Sequence, residues 1–278
     1  MDAPDASGDA SDLRDGSTSD GGPVEDAAVA DVPSDTIADA AGADAGSDAG
    51  ADAGPSEPAG CSGTELFCDD FESGEIAASR WGIDERDGSR ASVSEEVAFE
   101  GRRSLRIDMT TVAGARAVLQ PRGLLPVERN RFYGRFHLLV TPAVDMNHSF
   151  LVNATGNLPG GRSYYGLHSN AGRLNSRYVS PAITEHGGIK KFGGRTLPED
   201  EWLCVEFLFD GEADEVEFWF DGVEEPGMRV TGDEDPPWIA PPFETIDIGF
   251  HTYQAASAPF SVYYDAIAFD TERIGCGT

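Results

Sequence analysis

The sequence predicts an all-β fold, two antiparallel sheets packed face to face. Three observations predict it. Short alternations of apolar and polar residues recur from Leu66 to Phe269, and no segment keeps a helical period. Glu201 to Glu224 reads as a β-hairpin whose strands each have one apolar face and one mixed face. A sheet with one apolar face needs a second sheet to cover it. Residues 61–278 suit one such domain, since all-β sandwiches commonly run to roughly 200–250 residues.

The chain has 278 residues and a formal net charge of −30. Residues 1–60 hold 15 acidic side chains against one arginine, have no aromatic residue, and consist almost wholly of Asp, Ala, Gly, Ser, Pro and Thr. Such a segment buries too little apolar surface to offset its conformational entropy, so a disordered acidic spacer is expected there. It contains no D-x-[DN]-x-[DN]-G calcium loop. No signal peptide is visible, and no apolar run approaches the roughly 18 residues of a membrane helix.

Structure is expected from Cys61 onward. Leu66 to Glu72 reads as a first short strand closed by Ser73-Gly74. Trp81 opens the next apolar element. Glu100 to Ser104 is a turn feeding a strand with Leu105, Ile107 and Met109 on one face. Ala117 to Gln120 and Arg131 to Val140 follow; in the latter Tyr133, Arg135 and His137 share a face. Ser149 to Val152, Tyr164 to His168 and Arg177 to Val179 read as strands between Gly-rich loops. In the hairpin Leu203, Val205, Phe207 and Phe209 face one way, as do Val216, Phe218 and Phe220. Pairing Asp210 with Glu215 sets Glu206 opposite Trp219. A Pro-rich loop surrounds Trp238, and Thr245 to Tyr253 and Phe260 to Phe269 make the last strands.

Cys61, Cys68, Cys204 and Cys276 form no CxxC pair. An even count beside an acidic leader predicts two disulfides and an oxidising, extracellular or cell-surface location. Three pairings are possible, and Cys204 is expected to tie its sheet to the first or last strand.

Residues 146–198 carry six cations against one acid, Glu185, in a protein of charge −30. His148, His168, His186, Tyr164, Tyr165 and Tyr178 share this window. Overall negative charge argues against nucleic acid. Gly160-Gly161 and Gly193-Gly194 open no helix and are not phosphate loops.

In order, DDFESG, GRRSLRI, the W-x-C-V-E strand, EFWFDG and YYDAIAFD resemble the concanavalin A-like lectin/glucanase jelly rolls. That group includes laminin-G-like modules and jelly-roll polysaccharide lyases. The resemblance spans about 66–276. It implies a jelly-roll sandwich binding saccharide on a concave sheet face, here formed by residues 131–195 and 246–254. It also implies a structural Ca²⁺ near the paired terminal strands, with Glu72, the Glu100–Ser104 turn and Asp265 at the matching positions. Residues 1–60 resemble the spacers that follow the lipidated cysteine of bacterial surface lipoproteins, which implies a lipid-anchored precursor.

The expected function is binding of an extracellular, uronate-rich polysaccharide. Arg135, His137, Tyr164, Arg177, Lys190, Trp219, His251 and Tyr253 are the candidate contacts, with Trp238 a further stacking ring. The first alternative is a polysaccharide lyase working by β-elimination. That reaction needs the uronate carboxylate neutralised, a base, and an acid for the leaving oxygen. Arg135, His148, Tyr165 and His168 are its candidates. The E-x-D-x-x-E motif of the jelly-roll glucanases is missing, which disfavours hydrolysis through the hairpin glutamates. A module that recognises protein is the third reading.

Overall fold

The computed structural model describes residues 60–141, 148–183 and 188–277. The spacer expected over 1–60 lies, but for Gly60, outside the described residues, as do Glu185 and His186. The described chain is all-β, in two antiparallel sheets, and no described helix is long and apolar enough to cross a membrane.

The first sheet runs from β13 (Val223–Glu224) through β12 (Glu215–Phe220), β11 (Leu203–Asp210), β6 (Arg131–Val140), β15 (Phe260–Asp270) and β4 (Ser104–Met109) to β3 (Arg90–Ser94). The short β1 (Phe67–Asp69) also pairs with β15. The hairpin takes the expected register, with Asp210 opposite Glu215 and Glu206 opposite Trp219. The second sheet runs from β10 (Ile189–Thr196) through β9 (Arg173–Val179), β8 (Gly161–Asn170), β7 (His148–Leu158), β14 (Phe243–Thr252) and β5 (Arg116–Pro121) to β2 (Trp81–Arg86).

The apolar faces meet in one core. Phe132, Phe207 and Phe209 from the first sheet pack against Tyr165, Phe243 and Ile248 from the second. Phe132 and Phe243 meet edge-on at 5.6 Å between centroids, and Tyr165 and Phe209 at 6.1 Å. Each such ring contributes roughly 1.5–3 kcal/mol through burial, and edge-on contact is a favoured aromatic geometry.

Both expected disulfides are present, as Cys61–Cys68 and Cys204–Cys276. The second ties β11 to the segment after β15, the last strand, so Cys204 closes the sheet at its C-terminal end.

Candidate functional site

Alternation along five consecutive neighbours turns one set of side chains away from the core. Across the second sheet, Lys190 pairs with Arg177, Arg177 with Gly166, Gly166 with Asn153, and Asn153 with Asp247. The adjacent row runs Asn175, His168, Phe150, His251, Arg116 and Arg86. Asn153, Asp247, Phe150, His251, Arg116 and Arg86 of these rows form the floor of a cavity of about 380 Å³, walled by Asp84, Gln120, Thr155, Arg162, Tyr164 and Tyr253, and the rest of the rows extends the same face beyond it.

A β-bulge makes the two rows compatible. The β7–β8 register shifts between Phe150 and Val152, and Leu151 and Val152 both enter the core. Without the extra residue, Phe150 and Asn153 would face opposite sides, because strand side chains alternate. Phe150 is buried outside the inter-sheet core. It meets His251 edge-on at 5.3 Å, and the Arg116 guanidinium lies 5.3 Å over its ring.

Two polar networks set the floor. Arg116 Nη2 and Gln120 Nε2 donate to the two carboxylate oxygens of Asp247 at 2.9 and 2.7 Å, and Arg116 Nε pairs with Asp84 at 2.9 Å. Asp84 is held below the usual carboxylate range by Arg86 and Arg116, against the opposing effect of its burial. On the other side, His168 Nε2 lies 3.0 Å from Asn153 Oδ1, so Nε2 carries the proton. Arg177 Nη1 lies 2.6 Å from His148 Nε2. Arginine only donates, so His148 Nε2 accepts and its proton sits on Nδ1. Tyr253 stacks on His148 at 4.4 Å and meets His251 at 4.3 Å.

All three imidazoles are neutral at pH 7. His148 is lowered to about 4 by burial and then by Arg177. His251 is lowered to about 4 by burial and then by Arg116. His168, wholly buried, is pushed well down by the same loss of solvent. Burial raises the hydroxyls of Tyr164 and Tyr253, so both remain protonated. The cavity thus offers one neutral imidazole, His251, two protonated phenols, Tyr164 and Tyr253, and arginines for negative charge.

Of the candidate residues, His148, Tyr164, His168, Arg177, Lys190, His251 and Tyr253 come together on this face. Five others lie elsewhere. Tyr165 points into the core and donates to the Trp238 carbonyl at 2.7 Å; burial raises its hydroxyl, and it is no acid for this cavity. Trp238 is buried in the same core. Arg135 and His137 stand on β6 in the first sheet, so 131–140 does not belong to the proposed binding face. Arg135 is 3% exposed and donates to the carbonyls of Ala266, Gly275 and Gly60. His137 stacks on Phe99 at 3.6 Å. Trp219 is also in the first sheet, under the Arg273 guanidinium at 4.4 Å. Sequence reading missed Asp84, Arg86, Arg116, Gln120, Asn153, Arg162 and Asp247.

Glu72 and Asp265 brace the turn before β4. Glu72 Oε1 accepts the amides of Arg102 and Arg103, both at 2.7 Å. Asp265 accepts those of Phe99, Glu100 and Ala266. Burial raises Glu100, with Asp70 and Glu72 adding like charge. Among the described residues no three carboxylate, imidazole or thiol side chains converge as a metal cluster. These carboxylates therefore fit Ca²⁺ only if backbone carbonyls complete the ligand set.

The fold is similar to solved structures. One is a cellulose-induced protein, Cip1, at 21% identity and TM-score 0.62, covering 76% of this chain and 100% of that one. Another is an endo-β-1,4-glucuronan lyase from the fungus Trichoderma reesei, at 16% identity and TM-score 0.56, covering 75% and 96%. A third is the alginate lyase vAL-1 from a Chlorella virus, at 13% identity and TM-score 0.51, covering 70% and 94%. At these identities the likeness shows the shared jelly-roll sandwich. No family model and no curated protein matches the chain.

Proposed function

We propose that the domain recognises an acidic polysaccharide laid across the outer face of the seven-stranded sheet. One observation carries this reading. Arg86, Arg116 and Arg162 line the cavity beside Asp84 and Asp247, and the paired Arg177 and Lys190 extend the same face, on a chain of charge −30. Arg116 binds both acids and Arg86 binds Asp84, so Arg162 and Lys190 are the cations without a carboxylate partner among the described residues, with Arg177 bonded to His148. Two disulfides suit an oxidising compartment. We place the domain outside the cell, with residues 1–60 as its spacer from a surface anchor. Calorimetry with oligoglucuronate, oligoalginate and cello-oligosaccharide tests the reading. Uronates bind and neutral glucan does not, and Arg162→Ala weakens uronate binding by about tenfold, the loss of roughly one charged hydrogen bond. Equal affinity for neutral and acidic chains overturns it. A glycan array without saccharide hits would favour a protein partner.

A lyase reading has its own support in the neutral His251 ring against Tyr253 in the cavity wall. In β-elimination an imidazole takes the proton at C5 of the uronate. The released electron pair forms the C4=C5 bond, the C4–O bond breaks, and a phenol protonates the departing oxygen. His251 and Tyr253 have the protonation states these roles need. Incubation with alginate, glucuronan and pectate, followed by absorbance of the unsaturated product, decides it. No absorbance change on a polymer that binds leaves a binding module.

A further inference from the structure

We propose that Arg177 caps His148 in the free protein and that a uronate carboxylate removes the cap, so the imidazole is released only when an acidic sugar binds. This rests on the acidic-polysaccharide reading above.

The geometry begins with Arg177. It is 2% exposed, and among the described residues it forms no ion pair with a carboxylate. Its Nε is buried without a hydrogen-bond partner among the described residues. Its Nη1 donates to a neutral ring nitrogen, His148 Nε2, at 2.6 Å. Buried guanidinium groups are ordinarily paired, because their planar fork matches the two oxygens of a carboxylate. Arg177 lacks that partner: its Nη1 is on His148, a side-chain hydrogen bond joins it to Tyr164, and its Nε is left open. Lys190 stands directly opposite on β10 and adds a second positive charge. A carboxylate satisfies both cations, whereas a sugar hydroxyl supplies no charge. The exchange is balanced: one N–H···N bond to His148 breaks, N–H···O bonds to the carboxylate form, and the Nε2 lone pair is left free.

The proton consequence follows from what surrounds His148. Arg177 of β9 and Lys190 of β10 face it, together with His168 of β8 and His251 and Tyr253 of β14, and Tyr164 of β8 stacks on His168. The two cations and the occupied lone pair disfavour the imidazolium. Neutralising them with a carboxylate reverses both effects, so acidic-sugar binding takes up a proton at His148.

Nitrogen-15 NMR of the histidine rings tests this, with tetraglucuronate and cellotetraose as probes. In the free protein His148 shows the Nδ1–H form and stays neutral through pH 5–8. Saturating tetraglucuronate raises its midpoint by about one unit or more, and cellotetraose does not. Arg177→Gln raises the midpoint without ligand and removes the ligand-linked shift. Tetraglucuronate that binds, by calorimetry, while His148 titrates as before overturns the cap and leaves the binding reading intact. Absence of any tetraglucuronate binding overturns both. The wild-type titration stands without the variant should Arg177→Gln fail to fold.

Discussion

Gly166 holds the two sides of the cavity floor together, and Gly166→Ala should break them apart. A Cβ at this position would lie 1.9 Å from Asn153 Oδ1 and 3.0 Å from His168 Nε2. The methyl would displace Asn153 and separate it from His168. His168 is wholly buried, so its Nε2–H would lose its partner at a cost of about 1–3 kcal/mol. Forcing a methyl into close packing adds about 1–3 kcal/mol. Together about 2–6 kcal/mol is expected, which for a domain of this size lowers the melting temperature by roughly 4–24 °C. Uronate affinity should fall as well, because Asn153 lines the cavity. Gly222→Ala is the control: its φ of +76° carries backbone strain, but no atom lies within 4 Å of the added methyl. Strain alone costs of order 1 kcal/mol. If Gly166→Ala melts no lower than Gly222→Ala and binds uronate as the wild type does, the proposed floor is wrong.

Three further outcomes are expected. Replacing Cys204 and Cys276 by Ser opens a closure of 72 residues and should cost about 4 kcal/mol, while replacing Cys61 and Cys68, 7 apart, should cost about 2.5 kcal/mol; urea midpoints showing the reverse order would contradict this. His137, His148 and His251 are each lowered to about 4, so the unfolded chain binds protons below its ordinary 6.5 that the folded chain refuses. Their contribution is complete above 6.5 and is lost as pH falls toward 4. Asp265, pushed up to about 7 by burial, acts in the opposite sense, its contribution being lost as pH rises from 3.8 through 7. Three imidazoles outweigh one carboxyl, so the melting temperature should climb from pH 4 to 6.5, less steeply in His251→Gln; a flat profile refutes the assignment. Ca²⁺ at the Glu72–Asp265 turn, a proposal, should raise the melting temperature reversibly with EGTA, and a melt insensitive to both removes it.

The architecture was legible because the alternation is strong. Phe207 and Phe209 on β11 and Phe218 and Phe220 on β12 leave one register for the hairpin, and a slip of one residue would expose all four. The basic window was legible for a topological reason. β7, β8, β9 and β10 follow one another in sequence and lie side by side in the sheet, so clustering in sequence became clustering in space. Arg116 and Gln120 had no such help. They reach the cavity from β5, across β14, and sequence distance conceals that neighbourhood.

The misplaced residues have two separate causes. Tyr165 was a matter of phase. In Tyr164-Tyr165-Gly166-Leu167-His168, Tyr165 keeps step with Leu167 and Tyr164 keeps step with His168. A strand cannot present Tyr165 and His168 to one cavity, so the alternation already favoured Tyr164. Arg135 and His137 were a matter of sheet. Their shared face is real, but strand phase does not say which of two sheets a strand joins. That is decided by pairing: β6 lies between β11 and β15, far from the histidines of β7 and β8. The β7 bulge marks where even correct phase reading fails. Phe150 and Asn153 are three residues apart, and strict alternation assigns them to opposite faces. The inserted residue returns both to the cavity, and with them the ring under His251 and the amide that holds His168. The floor of the proposed site therefore depends on a local irregularity that binary patterning has no means to express.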